Sequence, residues 1–211
     1  MKMIQRISVI AGLLIVSALN VGLVQAAPSA QQVVQSTTDQ LLKDLTANKA
    51  LYKKNPQAFY DALNKNLGAV VDADGISRSI MTVKYSKTAT PAQMQRFSEA
   101  FKKSLMQFYG NALLAYDNQT IVVLPSKVEE PGRESVGMEI HGAHAEIYPI
   151  SYTMVDVNGN WMLRNVIVNG INIGKLFRDQ FDSAMQANHE DLDKTIDSWV
   201  DIVAKAKQGA Q

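Results

Sequence analysis

The chain has 211 residues, with 21 Lys+Arg against 20 Asp+Glu, 46% hydrophobic residues and 19% charged residues. These proportions suit a globular domain. They exclude wholesale disorder and the strong positive charge that nucleic-acid binding requires. Cysteine is absent, which excludes disulfides, thiolate zinc sites, cysteine nucleophiles and a lipid-modified N-terminal cysteine.

Lys2 and Arg6 form a positive segment, residues 7–19 an apolar run, and Val24-Gln25-Ala26 a small-residue cleavage pattern. Residues 1–26 therefore read as a secretory signal peptide, the alternative being an uncleaved membrane anchor. The expected mature chain, residues 27–211, is an exported single domain with 19 basic and 20 acidic side chains. Its helical part covers about 28–117, its sheet about 119–172, and its C-terminal helices about 173–208.

The first helix is predicted over residues 29–51, where Val33, Val34, Thr37, Leu41, Leu42 and Leu45 recur at spacings of three and four. Asn55-Pro56 opens a second helix with the stripe Phe59, Leu63 and Leu67, ending at Gly68. A shorter helix follows around Ile76, Ile80 and Val83. Thr90-Pro91-Ala92-Gln93 is a capping box with proline at the first helical position. Met94, Phe97, Phe101, Leu105 and Phe108 form its inward face, with Tyr109 beside them, before Gly110.

After Asn118 the period changes from about 3.6 to 2. Residues 119–128 form a β-rich run; Val136, Met138 and Ile140 alternate in a second, and Tyr148, Ile150, Tyr152 and Met154 in a third. Asn158-Gly159 is a hairpin signal that joins the third strand to a fourth, from Trp161 to Ile171. Two helices close the chain. The first carries Ile173, Leu176, Phe177, Phe181 and Met185, and the second is expected to be capped by Asn188.

The search for chemistry returns no nucleophile, metal or cofactor signature. His141-Gly142-Ala143-His144 lacks a third ligand and reads as a solvated turn. Residues 170–175 fall short of a phosphate loop, because the glycine spacing is one residue too short and Leu176 stands where Ser or Thr would hold magnesium. No nucleophile elbow and no dinucleotide fingerprint occur. Glu146 and Asp156 share the parity of Tyr148 to Met154 and are the candidate acid–base carboxylates, although strand ends suit rim charges. The large apolar and aromatic side chains define either a packed core or an adaptable cavity between helices and sheet, and periodicity does not separate the two.

Residues 83–93 (Val-Lys-Tyr-Ser-Lys-Thr-Ala-Thr-Pro-Ala-Gln) with Phe97, Phe101 and Tyr109 resemble the MlaC, or toluene-tolerance, family. So do residues 158–161 (Asn-Gly-Asn-Trp) running through Asn165-Val166 to Gly170-Ile171-Asn172. Val71-Asp72 and residues 76–83 extend the match. Asn165 departs from a usual Asp, Ile171-Asn172 from Val-Ser, and Thr82 from a common Gly. The resemblance implies an α+β, NTF2-like fold, a four-stranded antiparallel sheet wrapped by an N-terminal helical layer and C-terminal helices. It implies a periplasmic phospholipid carrier without cofactor, exchanging lipid between an outer-membrane lipoprotein–porin complex and an inner-membrane lipid transporter, and so maintaining outer-membrane lipid asymmetry. The implied tail-binding residues are Val70, Ile76, Ile80, Val83 and Tyr85, then Phe97, Phe101, Leu105, Phe108 and Tyr109 on the Thr90 helix. On the strands they are Val136, Met138, Ile140, Tyr148, Ile150, Tyr152, Met154 and Trp161, and beyond the sheet Phe177. Two rival readings stand beside it: an NTF2-like periplasmic enzyme using Asp156 or Glu146 as a cavity carboxylate, and a structural protein with a solid core.

Overall fold

A computed structural model describes the backbone of residues 27–209, together with their side chains except those of 106–109, 111–112 and 206–209. The signal-peptide assignment to residues 1–26 lies outside the described residues. Four helices come first: α1 (Ala30–Lys54), α2 (Pro56–Leu67), α3 (Ala73–Ser86) and α4 (Pro91–Leu114). Then follow β1 (Thr120–Glu130), β2 (Arg133–His141), β3 (Ile147–Val157), β4 (Asn160–Val168) and β5 (Ile171–Asn172), and finally α5 (Ile173–Ala187) and α6 (Leu192–Gly209).

Local side-chain chemistry sets most helix starts. Ser29 and Gln32 form a reciprocal capping box on α1, with Ser29 N donating to Gln32 Oε1 at 2.8 Å and Gln32 N to Ser29 Oγ at 3.2 Å. The Asn55 side chain accepts from Ala58 N at 3.1 Å, and Pro56 takes the first turn of α2. Thr90 and Gln93 repeat the reciprocal box on α4. That helix runs through Gly110 to Leu114 instead of stopping at the glycine, at an interior glycine cost of only about 1 kcal/mol. Asn188 does not open α6. It terminates α5, and Asp191, whose carboxylate accepts from Lys194 N at 3.0 Å, supplies the N-terminal cap.

The sheet is antiparallel in the order β1-β2-β3-β4-β5. It has five strands, one more than predicted. Asn169 (φ 47°) and Gly170 (φ 82°) form a second Asn-Gly turn, which ends β4 at Val168 and returns the chain as β5. Pro125 sits within β1 at a register shift between Val123 and Ser126, where a missing N–H is tolerated. Val71 adds a parallel bridge to Leu163, and Leu163 N donates to Val70 O at 2.7 Å. The α2–α3 connection is thereby fastened to the inside of the fold.

Packing divides into three clusters. The largest is a solid core of α3, α4, α5 and α6 around Trp199, with Phe97, Phe101, Phe177 and Phe181 all nearly inaccessible. Edge contacts knit it: Phe97–Phe181 at 5.2 Å and Phe101–Phe177 at 5.3 Å between ring centroids. A second cluster joins the start of α1 to the sheet through Val34, Val136, Met138 and Met154. The third joins α1 to α2 through Leu45, Tyr52, Phe59 and Leu63.

α3 is kinked at Thr82, which has φ 60° and ψ 169°. This conformation belongs almost wholly to glycine, and holding a β-branched residue there costs about 1–3 kcal/mol. Thr82→Gly is therefore expected to raise unfolding free energy by about 1 kcal/mol, net of glycine's larger chain entropy. Urea denaturation of the two proteins would measure the difference, and an unchanged or lower midpoint would show that the kink carries no strain.

Candidate functional site

Two apolar chambers adjoin the helical layer, one against the inner sheet face and one among the helices. One, of about 200 Å³, is bounded by Val33, Val34, Thr37, Thr38 and Leu41 of α1, by Leu67, Val70 and Val71, by Leu113 of α4, and by Tyr152, Met154 and Leu163 of the sheet. The other, of about 230 Å³, lies between α2 and α4 and is bounded by Leu63, Asn64, Leu67, Gly68, Val71, Lys102, Leu105, Gly110 and Leu113. Leu67, Val71 and Leu113 belong to both, so the chambers meet across those three side chains. Each exceeds the roughly 150 Å³ of an apolar cavity that stays dry and admits a benzene-sized guest.

Strand register explains the sheet wall. Val136 faces Tyr152, Met138 faces Ile150, and Tyr152 faces Val166 in directly opposed pairs, so these residues share one surface. The hydroxyl of Tyr152 finds Met138 Sδ at 3.5 Å, a weak acceptor. Burial pushes the Tyr152 phenol up to about 12, because the phenolate would lose its hydration there.

Of the residues expected to bind tails, Val70, Leu105, Tyr152 and Met154 line the chambers. Val136, Met138, Ile150 and Trp161 pack in the sheet cluster against α1. Ile140, opposite Tyr148, continues that sheet face, but Tyr148 itself is 48% exposed. Several others lie elsewhere. Phe97, Phe101, Phe177 and Ile80 are core residues around Trp199, with Ile76 and Tyr85 packed against them. Their helices pair face to face, and neither chamber includes these side chains. Val83 is 64% exposed, because the Thr82 kink turns the last part of α3. The Phe108 and Tyr109 side chains lie outside the described residues.

Neither proposed carboxylate is a cavity carboxylate. Asp156 is exposed and accepts from Gly159 N at 2.6 Å at the hairpin, while Glu146 is exposed and accepts from His144 N at 3.1 Å. Both stabilise turns. Among the described residues no group of three or more His, Cys, Asp or Glu side chains could hold a metal, and no helix is long and apolar enough to cross a membrane.

The contribution of α1 and α2 to the lining was missing from the sequence reading. Its signal was present: the stripe Val33, Val34, Thr37 and Leu41 carries a threonine where a closely packed face would carry a large apolar side chain.

A helical layer covers one face of the antiparallel sheet, with apolar space left between them. The chain belongs to the MlaC family, whose model, described as MlaC protein, matches residues 35–201. It is 63% identical over 199 residues to the toluene tolerance protein ttg2D of Pseudomonas putida, covering 94% of this chain and 93% of that protein. Its fold resembles the phospholipid-binding protein from Ralstonia solanacearum, solved in complex with a phospholipid, with a TM-score of 0.73 and 18% identity. That likeness covers 86% of this chain and 98% of the other.

The raised Tyr152 pKa has a signed consequence. Folding holds the phenol's proton more tightly, so the associated stability is complete below pH 10 and is lost as pH rises toward about 12. Denaturation series between pH 9 and 12 are expected to show a steeper decline for the wild-type protein than for Tyr152→Phe. Equal slopes would mean that the hydroxyl is solvated.

Proposed function

We propose that the chain is a periplasmic phospholipid carrier that buries acyl tails in the two chambers and leaves the headgroup in water. The observation that carries this reading is the nearly all-apolar lining of both chambers, one against the inner sheet face and one between α2 and α4. Family membership and the phospholipid-bound structural relative support it.

The energetics require such a shape. Burying a methylene is worth about 0.8 kcal/mol, so two tails with roughly 30 methylenes represent about 24 kcal/mol against water. A carrier crossing an aqueous space must cover nearly all of that surface. The present chambers would widen further around a complete lipid by separation of α1, α2 and α4, whose side chains form their movable walls. Lys102 stands at the edge of the second chamber and is exposed. Its stem covers apolar surface while its ammonium meets a phosphate outside.

In this reading the carrier moves lipid between an outer-membrane lipoprotein–porin complex and an inner-membrane transporter, and so sustains outer-membrane lipid asymmetry. Transfer between bilayer and chamber exchanges one apolar environment for another. Direction then comes from the partners and their energy source. No step in this cycle asks the chain to make or break a covalent bond.

The test is extraction of the purified mature protein with organic solvent followed by lipid mass spectrometry. Phospholipid is expected from the wild-type protein, and several-fold less from Leu113→Trp, which fills the junction between chambers. Circular dichroism would establish that the variant is folded, overpacking of this kind costing about 1–3 kcal/mol. Lipid-free wild-type protein from several expression hosts would overturn the proposal. Unchanged lipid content in folded Leu113→Trp would place the tails elsewhere.

A further inference from the structure

The side of β4 turned away from the chambers carries a second concavity, with different chemistry. It measures about 470 Å³ and lies between α3, α5 and the outer sheet face. Four cationic side chains line it, Arg133, Arg164, Lys175 and Arg178, against one carboxylate, Asp179. Three of these cations are ion-paired, Arg133 with Glu129 and Glu130, Arg164 with Asp72 and Lys175 with Asp179, so the unbalanced positive charge of the groove is that of Arg178.

Arg178 is the informative member. Its Nε donates to Ser79 O and its Nη2 to Ser79 Oγ, both at 3.0 Å, and no carboxylate neutralises it among the described residues. Ser79 thus fixes the guanidinium in place and leaves its charge and remaining N–H donors unused. Lys175 pairs with Asp179 at 2.6 Å and Arg133 with Glu129 at 2.9 Å, all four side chains being well exposed. Exposed pairs contribute about 0–1 kcal/mol, so an incoming anion displaces their carboxylates at small cost. Arg164 is held by Asp72, its Nε lying 2.7 Å from Oδ2. The amides of Gly174 and Lys175 are already taken by the Asn165 and Asn172 side chains, so recognition here belongs to side chains.

We propose that this groove binds a phosphate-bearing anion. Its volume falls in the range of about 300–1,000 Å³ typical of ligand sites. Several guanidinium forks around one space match a group with more than one negative charge and three acceptor oxygens better than they match a single carboxylate. The phosphate is either a free phosphate compound or a lipid headgroup at a membrane surface. Binding here requires neither chamber to be occupied, so this site stands or falls apart from tail binding.

The experiment is an amide and arginine side-chain NMR titration of the purified protein with inorganic phosphate, against chloride at matched ionic strength. It is paired with co-sedimentation on phosphatidylcholine vesicles with and without phosphatidylglycerol. Saturable shifts at Arg133, Arg164, Asn165 and Arg178 with phosphate, and no vesicle binding, identify a free phosphate ligand. Sedimentation only with phosphatidylglycerol, competed by phosphate, identifies a headgroup. Arg178→Gln is expected to weaken either response at least fivefold. Lys175→Gln, which removes an exposed side chain and leaves Arg178 seated, is expected to weaken it two- to fivefold. The proposal is overturned by shifts that are non-saturable or equal in chloride, by both variants binding as the wild type does, or by a polyglutamate peptide occupying the groove without competition from phosphate.

Discussion

An empty space inside a protein costs about 24 cal/mol per Å³ in lost contacts. The chambers of about 200 and 230 Å³ are partly open to solvent, so they withhold less from folding than sealed cavities of that size would. The fold tolerates this by keeping hollow and solid regions apart. The solid region is the aromatic cluster around Trp199, where four helices meet through phenylalanine edges. α4 belongs to both regions. Its first half is fixed by Phe97 and Phe101, and its second half presents Leu105, Gly110 and Leu113 to open space. A helix anchored at one end holds a cavity open without filling it.

The same division sets what the hollow part can do. α1 touches the sheet through its start, Val71 just beyond α2 bridges to Leu163, and the chamber side chains between are mostly leucine, valine and threonine. No ion pair crosses the chamber junction at Leu67, Val71 and Leu113 among the described residues. The apolar contacts at the junction are ones that a guest of similar polarity restores, while Asn66 donating to Asp44 at 3.1 Å and the Lys49–Asp117 pair at 3.2 Å keep α1 tied to α2 and to the segment after α4. In the proposed carrier role, loading and emptying then require little net work at a membrane and much in water. That asymmetry is the physical basis of a shuttle.

Much of this was legible in the residues because local chemistry and packing agree. The Ser29, Asn55 and Thr90 starts, the change to period two after Asn118, and the turn at Asn158-Gly159 each state one structure by short-range rules. Asn169-Gly170 carried the same turn signal, but it lay inside an apolar run and was read as strand. The division of aromatic residues was not legible. Phe97 and Phe101 show the same helical spacing whether they face a cavity or a core, and only the arrival of α6 with Trp199 decides it. Threonine at 82 marked an unusual position by its departure from glycine. Why the position favours glycine became visible only in its positive φ.

One backbone irregularity separates the apolar interior from the cationic groove. On β4, Leu163 faces Met154 and Asn165 faces Thr153, which leaves Arg164 as an extra residue in a bulge. Regular alternation would carry Leu163 and Asn165 to one face and put Asn165 among the chamber's apolar side chains. The bulge instead sends Arg164 and Asn165 together to the groove and returns Val166 to the surface shared with Tyr152. Asp72 then receives Arg164, while its neighbour Val71 bridges to Leu163 on the chamber side. A side chain added at Gly75 would collide with this ion pair, and one at Gly174 would come within 2.5 Å of Asn165 Oδ1. The two glycines therefore permit the close approach of α3 and α5 on which the groove depends. A single extra residue thus lets one strand serve two surfaces of opposite polarity, and a shift of that strand must be felt on both.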